Sequence, residues 1–345
     1  MFTATAPVLS PGSTILVTGA SGFIGSHVVN QLLEAGYLVR GVTRDSTKNA
    51  WLKTLFDTKH GSGKFSLHQV ADLSQDGALH DALQGVSGVV HAASDMSFSP
   101  DPNIVIPSAI SSALGVLKAS ALAPTVKRFV FTSSCAAAAS PCPGHYPTIT
   151  SETWNDQAVK EAWAPPPYEA SRGFTVYAAS KTAAEKEVWA WYKQAQPAFT
   201  LNTVLPSANY GKSLDLANQG HPSTSGLLQA LYMGDNDTVM TGAEYFYIDV
   251  EDTARIHVAG LLHPDVASER LFAYAWPYTW KSMQAVMKSV YPDKTFGPDF
   301  EEHEMDRSVI VGKERAAGLL KEMGREGWTA VEEVVRLNTE DLASA

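Results

Sequence analysis

The segment Val17-Thr18-Gly19-Ala20-Ser21-Gly22-Phe23-Ile24-Gly25 constrains this chain more than any other. It joins an apolar run, Thr14–Thr18, to a stretch of helical periodicity, Phe23–Ala35, and sets glycines at 19, 22 and 25. A strand that passes into a helix so abruptly needs a residue without a Cβ at the turn, and Gly19 supplies it. Gly22 lets the main chain approach a ligand, and Gly25 lets the helix sit close to the strand. The helix then opens with unsatisfied N–H groups and the positive end of its dipole. This is the pattern of a pyrophosphate-binding turn, with Gly19, Ser21, Gly22, Phe23, Ile24 and Gly25 as its contacts. The bland alternative is a glycine-rich turn without a ligand. The strand, helix and second strand in register around it favour the dinucleotide.

The rest of the first 205 residues repeats the alternation. Leu38–Thr43, Phe65–Val70, Gly88–Ala92, Arg128–Ser133 and Thr200–Leu205 read as buried strands. Ser46–Asp57, Leu79–Leu83, Ile104–Ala121 and Thr175–Ala195 read as helices. Strands alternating with helices imply βαβ units, hence an α/β fold with a Rossmann-type doubly wound parallel sheet. Ser140–Pro167 is rich in proline and is expected as a long loop, with a helical turn near Trp154–Trp163. Beyond Pro206 the alternation weakens. The expected division is 1–205 for the nucleotide-binding domain with its catalytic helix, and 206–345 for a smaller substrate domain interwoven with the sheet.

Composition removes other classes. The chain has 26 basic and 36 acidic residues in 345, a net charge of −10, and no Lys/Arg cluster. It therefore lacks the electrostatic footprint of a nucleic-acid or anionic-membrane binder. Its two cysteines, Cys135 and Cys142, make neither a disulfide scaffold nor a zinc site. The ten histidines do not cluster at ligand spacing, so no metal is expected. No uncharged apolar run reaches the roughly 20 residues of a bilayer span, and MFTATAPVLSPGS lacks the basic start and apolar stretch of a secretory leader. A cytoplasmic protein is the expectation.

The end of the second strand selects the nucleotide. An NAD site wants an acid there, to hold the ribose 2′-hydroxyl. Leu38–Thr43 carries none, and Arg44 stands just beyond its tip. A guanidinium pairs with a 2′-phosphate through two hydrogen bonds, which points to NADP(H). Arg44 is preferred to Arg40, which lies mid-strand.

Of the 12 tyrosines, only Tyr177 has a lysine four residues later, Lys181. That spacing places both on one helix face, with Ala184, Val188 and Trp191 continuing it toward the sheet. A nearby ammonium favours the phenolate and is expected to lower the phenol's pKa. Arg128–Ser133 ends in Thr132-Ser133-Ser134, and ligands in open parallel sheets bind off the carboxyl ends of strands. A serine there can donate a hydrogen bond to a carbonyl oxygen. Each feature has a plainer reading, an accidental pair on an amphipathic helix or serines that close off a strand end.

TGASGFIGS, the strand-end TSS and YAASK, in this order, resemble the short-chain dehydrogenase/reductase superfamily. The likeness is to its extended branch, to dihydroflavonol reductases and, more closely, to fungal NADPH-dependent aldehyde (carbonyl) reductases. YLVRGVTRD, VADL, GVVHAAS, VKRFVFTSS, the Tyr-Ala-Ala-Ser-Lys-Thr-Ala-Ala-Glu run, LNTVLPS and a C-terminal GW extend it over nearly the whole chain. The resemblance implies Tyr177 as proton donor, and Lys181 as the residue that lowers its pKa and holds the nicotinamide ribose. It implies Ser134, with Ser133 second, as the group that positions the carbonyl. Asp72 and Leu73 would flank the adenine, Ala92, Ala93 and Ser94 would line the cofactor, and Pro206 and Ser207 would border the nicotinamide. One departure stands out: the helical asparagine of many relatives falls at Gly115, so a proton relay needs another group or water.

The implied activity is NADPH-dependent reduction of an aldehyde or ketone. Met96, Phe98, Phe174, Leu227 and Met240 are expected to make an apolar pocket for a hydrophobic or aromatic substrate. A nucleotide-sugar epimerase or dehydratase with bound NAD is one alternative, and a dinucleotide-sensing regulator without turnover is another. His91 reads as structural, and Tyr245–Tyr247 with the following Ile248–Asp252 as a strand leading into a helix.

Overall fold

The computed structural model describes residues 5–343; residues 1–4, where the leader reading begins, lie outside it. The strands are β1 (Thr14–Thr18), β2 (Leu38–Thr43), β3 (Phe65–Gln69), β4 (Val86–His91), β5 (Arg128–Thr132), β6 (Thr148–Ile149), β7 (Thr200–Pro206), β8 (Ala208–Tyr210), β9 (Phe246–Asp249), β10 (Arg270–Ala273), β11 (Trp276–Pro277) and β12 (Val309–Ile310). The helices are α1 (Phe23–Glu34), α2 (Trp51–His60), α3 (Pro102–Ala121), α4 (Asp156–Ala162), α5 (Gly173–Ala195), α6 (Leu216–Gln219), α7 (Ser225–Met233), α8 (Asn236–Val239), α9 (Val250–Leu262), α10 (Trp280–Val290), α11 (Lys313–Glu322) and α12 (Val331–Ala343).

Seven strands pair in the order β3-β2-β1-β4-β5-β7-β10, every pair parallel. The strand order reverses between β1 and β4, so a ligand crevice opens off their carboxyl ends in this Rossmann-type sheet. Both faces are covered. Ile15 and Val17 point into a core shared with α1 and α9, while Leu16 points into one built with α3 and α5. The period-2 alternation of a strand thus serves two cores at once, which is why β1 reads as an unbroken apolar run.

The chain after Pro206 does not fold apart from the sheet. α9 packs on β5 and β7, and β10 becomes the sheet's edge strand. Between them, β8, β9 and β11 form a three-stranded sheet, and β12 pairs with β6.

Three expectations need correction. Leu79–Leu83 is a series of turns, not a helix. Leu79, Ala82 and Leu83 bury at helical spacing, but Gly77 and Gly85 hold φ of 78° and 71° on either side and confine the segment to turns. α2 starts at Trp51 rather than Ser46, because Asp45 accepts from the Lys48 N–H and Asn49 donates back to Thr43 and Asp45, holding a turn. The Ser140–Pro167 loop contains β6 as well as α4. Separately, α3, at 20 residues and with Lys118 its one charge, is long and apolar enough to cross a bilayer by length and composition. Here it is a core helix: Val105, Ile106, Ala113, Val116 and Leu117 are buried and it packs on α5.

Candidate active site

The glycine turn is built by exclusion. A Cβ on Gly25 would overlap the Gly19 carbonyl oxygen, and Gly19, at φ +67°, is overlain by the main chain of Ala92 and Ala93. These two glycines therefore hold the turn against β1 and β4. Gly22 is different. It is exposed, and a Cβ there would meet only the Gly19 carbonyl, at 3.3 Å. Among the described residues no side chain caps the first turn of α1 and no acid lies in it, so its leading N–H groups have no side-chain partner there. A cradle that a Cβ would fill, at the positive end of a 12-residue helix, fits a pyrophosphate. Gln219, from α6, donates to the Ser21 carbonyl and to Ser26 Oγ, and His27 meets the Lys212 carbonyl. The C-terminal part thus braces the turn from behind.

Arg44 stands exposed just past β2, with no hydrogen bond or ion pair among the described residues. Arg40 is committed elsewhere, donating to the carbonyls of Ala82 and Gln84. Asp72 is exposed and accepts from the N–H and hydroxyl of Ser74, which hold its carboxyl below its ordinary range. Gly115 has a reason to be glycine: a Cβ there would overlap the Leu73 carbonyl, so α3 presses directly on the Leu73–Ser74 backbone. Ala92 and Ala93 are half-buried beside the turn and Ser94 is exposed. Pro206 ends β7, and Ser207 is tied through its N–H and hydroxyl to the Ala273 carbonyl. Arg44, Asp72, Leu73, Ala92, Ala93, Ser94, Pro206 and Ser207 all lie at or beyond the carboxyl ends of the parallel strands.

Tyr177 lies in the second turn of α5, half-buried between Phe98 (ring centroids 5.1 Å) and Phe174 (6.1 Å). Gly173 lets this happen, since a Cβ there would overlap the Phe98 carbonyl. Phe98 itself sits at φ +50°, a costly conformation for a bulky residue. Lys181 Nζ is 5.9 Å from the Tyr177 ring centroid and donates to the Thr132 carbonyl at 3.4 Å. Ser134 Oγ accepts from the Ala136 N–H, and the hydroxyl is near enough to the phenol to favour the phenolate.

Burial reverses the expected electrostatics. Desolvation pushes the Tyr177 phenol up to about 12, with only Ser134 opposing it. Lys181 does not lower it. Desolvation brings Lys181 itself down to about 8, against the pull of Glu185. The sequence reading paired the two groups as though in water; inside the protein, the cost of charging each outweighs their mutual attraction.

The two serines separate. Ser133 Oγ donates to Glu185 Oε2 at 2.7 Å and is buried in a polar hub, whereas Ser134 stands with Tyr177. Glu185 is fully buried. It also accepts from Thr203 Oγ1 (2.7 Å) and from Arg270 through Nε (2.9 Å) and a terminal nitrogen (3.1 Å). Glu185 and Arg270 did not figure among the expected site residues. The available signal was a carboxylate one helical turn past Lys181, on a face otherwise made to be buried.

Of the expected pocket residues, Phe98 and Phe174 flank Tyr177, and Met96 is exposed on the same loop as Phe98. Leu227 packs instead on the main core, against Gly242, and Met240 is exposed at the end of α8. Cys135, a half-buried free thiol, packs against the core cluster of Leu205, Phe272 and Tyr274, and desolvation raises its pKa to about 11. His91 bonds Thr18 Oγ1 at 2.6 Å and is held down at about 3 by burial and by the Lys181 charge.

Residues 15–272 match the model of the NAD dependent epimerase/dehydratase family. The chain is 37% identical over 333 residues to the NAD-dependent epimerase/dehydratase terH of Aspergillus terreus, covering 96% of this chain and 97% of that protein. It is 37% identical over 333 residues to aldehyde reductase 2 of Sporidiobolus salmonicolor, covering 95% and 96%. Among solved structures it resembles Gre2 from Candida albicans in complex with NADPH, with a TM-score of 0.83, 25% identity, and coverage of 96% of this chain and 99% of that one. With most of its length inside the family model and relatives matched almost end to end, the chain belongs to the NAD dependent epimerase/dehydratase family.

Proposed function

We propose that this protein is an NADPH-dependent reductase that converts an aldehyde or ketone into the corresponding alcohol. The observation that carries the reading is the placement of Ser134, just past the end of β5, and of Tyr177 beside Lys181, which reaches the Thr132 carbonyl, at the same carboxyl end of the sheet as the glycine turn. The name of the aldehyde reductase relative supports it, as does the NADPH in the Gre2 complex.

NADPH, when bound, supplies the hydride that reduces the carbonyl carbon. The chain's own task is to manage the oxygen. Tyr177, a phenol neutral at pH 7 and kept protonated further into the alkaline range by burial, holds the proton that the new alkoxide takes up. Ser134 Oγ and the phenol donate to that oxygen where negative charge grows, and this differential stabilisation is what lowers the barrier. Lys181, charged below about pH 8, supplies a positive charge near the ring and an N–H donor for ribose hydroxyls. Gly19, Ser21, Gly22, Phe23, Ile24 and Gly25 would hold the pyrophosphate, with Arg44 on the 2′-phosphate. Asp72 and Leu73 would flank the adenine, Ala92, Ala93 and Ser94 would line the cofactor, and Pro206 and Ser207 would border the nicotinamide. Phe98 and Phe174 favour a hydrophobic or aromatic carbonyl compound beside Tyr177.

The name of the terH relative keeps an epimerase or dehydratase reading in view. That reading wants an acid in place of Arg44, a cofactor that copurifies, and no net NADPH consumption. Oxidation of NADPH against a panel of aliphatic and aromatic aldehydes and ketones separates the two. Tyr177→Phe is expected to lower kcat by about 10²–10⁴-fold with NADPH binding retained. A wild-type rate in that variant would overturn the mechanism.

A further inference from the structure

We propose that Glu185 is a positioning residue for Lys181: its buried carboxylate fastens the catalytic helix to β5, β7 and β10, and is the counter-charge that Lys181 shares with Arg270. The proposal rests on the reductase reading of Tyr177 and Lys181.

Glu185 follows Lys181 by one helical turn and has no solvent exposure. An unpaired carboxylate there would be prohibitively costly. It is instead satisfied from three strands: Ser133 on the end of β5, Thr203 on β7 and Arg270 on β10. Trp189, a further turn along α5, adds a long N–H contact at 3.3 Å. Arg270 is in turn fixed by the carbonyls of Ser151 and Thr153 and by the Trp154 ring, 3.8 Å away. The register of α5 over the sheet, and with it the position of Lys181 at the Thr132 carbonyl, is therefore set at Glu185.

The same geometry has an electrostatic consequence. Lys181 faces Tyr177 and Glu185 on its own helix, the Thr132 carbonyl on β5 and His91 on β4. Glu185 is the carboxyl group in that set, and it faces two buried cations, Arg270 through two hydrogen bonds and Lys181 one helical turn back on α5. Removing its charge leaves Lys181 and Arg270 uncompensated. A guanidinium does not lose its proton, so the relief available is loss of the proton from Lys181. Removing Arg270 instead leaves Glu185 to Lys181 alone and strengthens the hold on that proton.

The two substitutions must therefore move Lys181 in opposite directions. The titration of Lys181 is read directly, by competitive acetylation with acetic anhydride across pH 6–10 and mass spectrometry of the peptide, with no turnover required. Glu185→Gln is expected to move the midpoint down by about one pH unit, and Arg270→Gln to move it up by a similar amount. The alkaline limb of NADPH binding, followed by fluorescence, should move with it. Glu185→Asp, which keeps the charge, should restore most of the wild-type midpoint. An unmoved midpoint in both variants, or movement in the same direction, would overturn the proposal. If Glu185→Gln does not fold, the upward arm in Arg270→Gln decides alone: a raised midpoint supports the proposal and an unmoved one ends it. Failure of the reductase reading shows separately, as absent carbonyl turnover with the Lys181 titrations unaffected.

Discussion

The glycine turn and the Tyr177 end of the cleft are two halves of one candidate site, made in opposite ways. The turn is local. Its parts come from Val17–Gly25, its working groups are main-chain N–H donors, and its side chains matter mostly by being absent. The Tyr177 end is assembled from β5, β7, β10 and α5, and its working groups are side chains whose charges are buried together. Excluded volume governs the first, and desolvation governs the second. A substitution should therefore act on the turn through shape, independent of pH, and on the Tyr177 end through protonation.

The largest expected effect tests the shape half. Gly25→Ala places a Cβ into the Gly19 carbonyl, where main chain has to move, while Gly22→Ala has open space apart from the same carbonyl at 3.3 Å. Gly25→Ala should lose about 3 kcal/mol of stability in urea titration, as over-packing against rigid backbone does. It should bind no NADPH. Gly22→Ala should unfold near the wild-type midpoint and yet bind NADPH poorly. Equal stabilities for the two variants would break the contrast.

The next effect joins the halves. His91 lies under the turn on Thr18 but also feels Lys181. Its folded pKa is about 3, whereas an unfolded histidine titrates near 6.5. Between those values the unfolded state binds more protons, so stability falls as pH drops through 6.5 and goes on falling toward 3. At pH 5 the loss from this one group is about 2 kcal/mol relative to pH 7. His27 and His257 act in the same sense and Asp249, raised to about 7, in the opposite one, so the difference between variant and wild type is the useful quantity. His91→Gln should shrink the pH 7-to-5 loss by that amount in denaturant titrations. An unchanged loss would show that His91 titrates normally and that the region beneath the turn is wetter than its burial implies.

The same contrast explains what could be read from the sequence. β1, β2, β5 and β7 lie within a residue or two of their expected ends because buried parallel strands are apolar on both faces. The glycine turn was legible because its signal is contiguous. Leu79–Leu83 misled because one buried turn has the same apolar spacing as the start of a helix, and only the flanking Gly77 and Gly85 betray it. Glu185 and Arg270 were not legible as a pair, since 85 residues separate them and only the sheet order makes β10 a neighbour of β7. The sign of the Tyr177 shift was beyond reach for the same reason. Spacing on a helix gives proximity to Lys181, but the burial that outweighs it comes from Phe98, Phe174 and the strands beneath.

The smallest expected effect concerns Arg44, where neither shape nor burial operates. The guanidinium is exposed and committed to no partner among the described residues, so removing it costs the fold almost nothing. Its contribution can appear only against a ligand with a phosphate at the 2′ position, through a charge-assisted bidentate pair partly screened by solvent. Arg44→Ala should weaken NADPH about tenfold, leave NADH unchanged, and lose part of that effect at high salt. Equal weakening of both nucleotides would place Arg44 outside the 2′-phosphate site. It would shift the nucleotide preference onto Asp72 and its neighbours, or onto the epimerase-type reading with NAD.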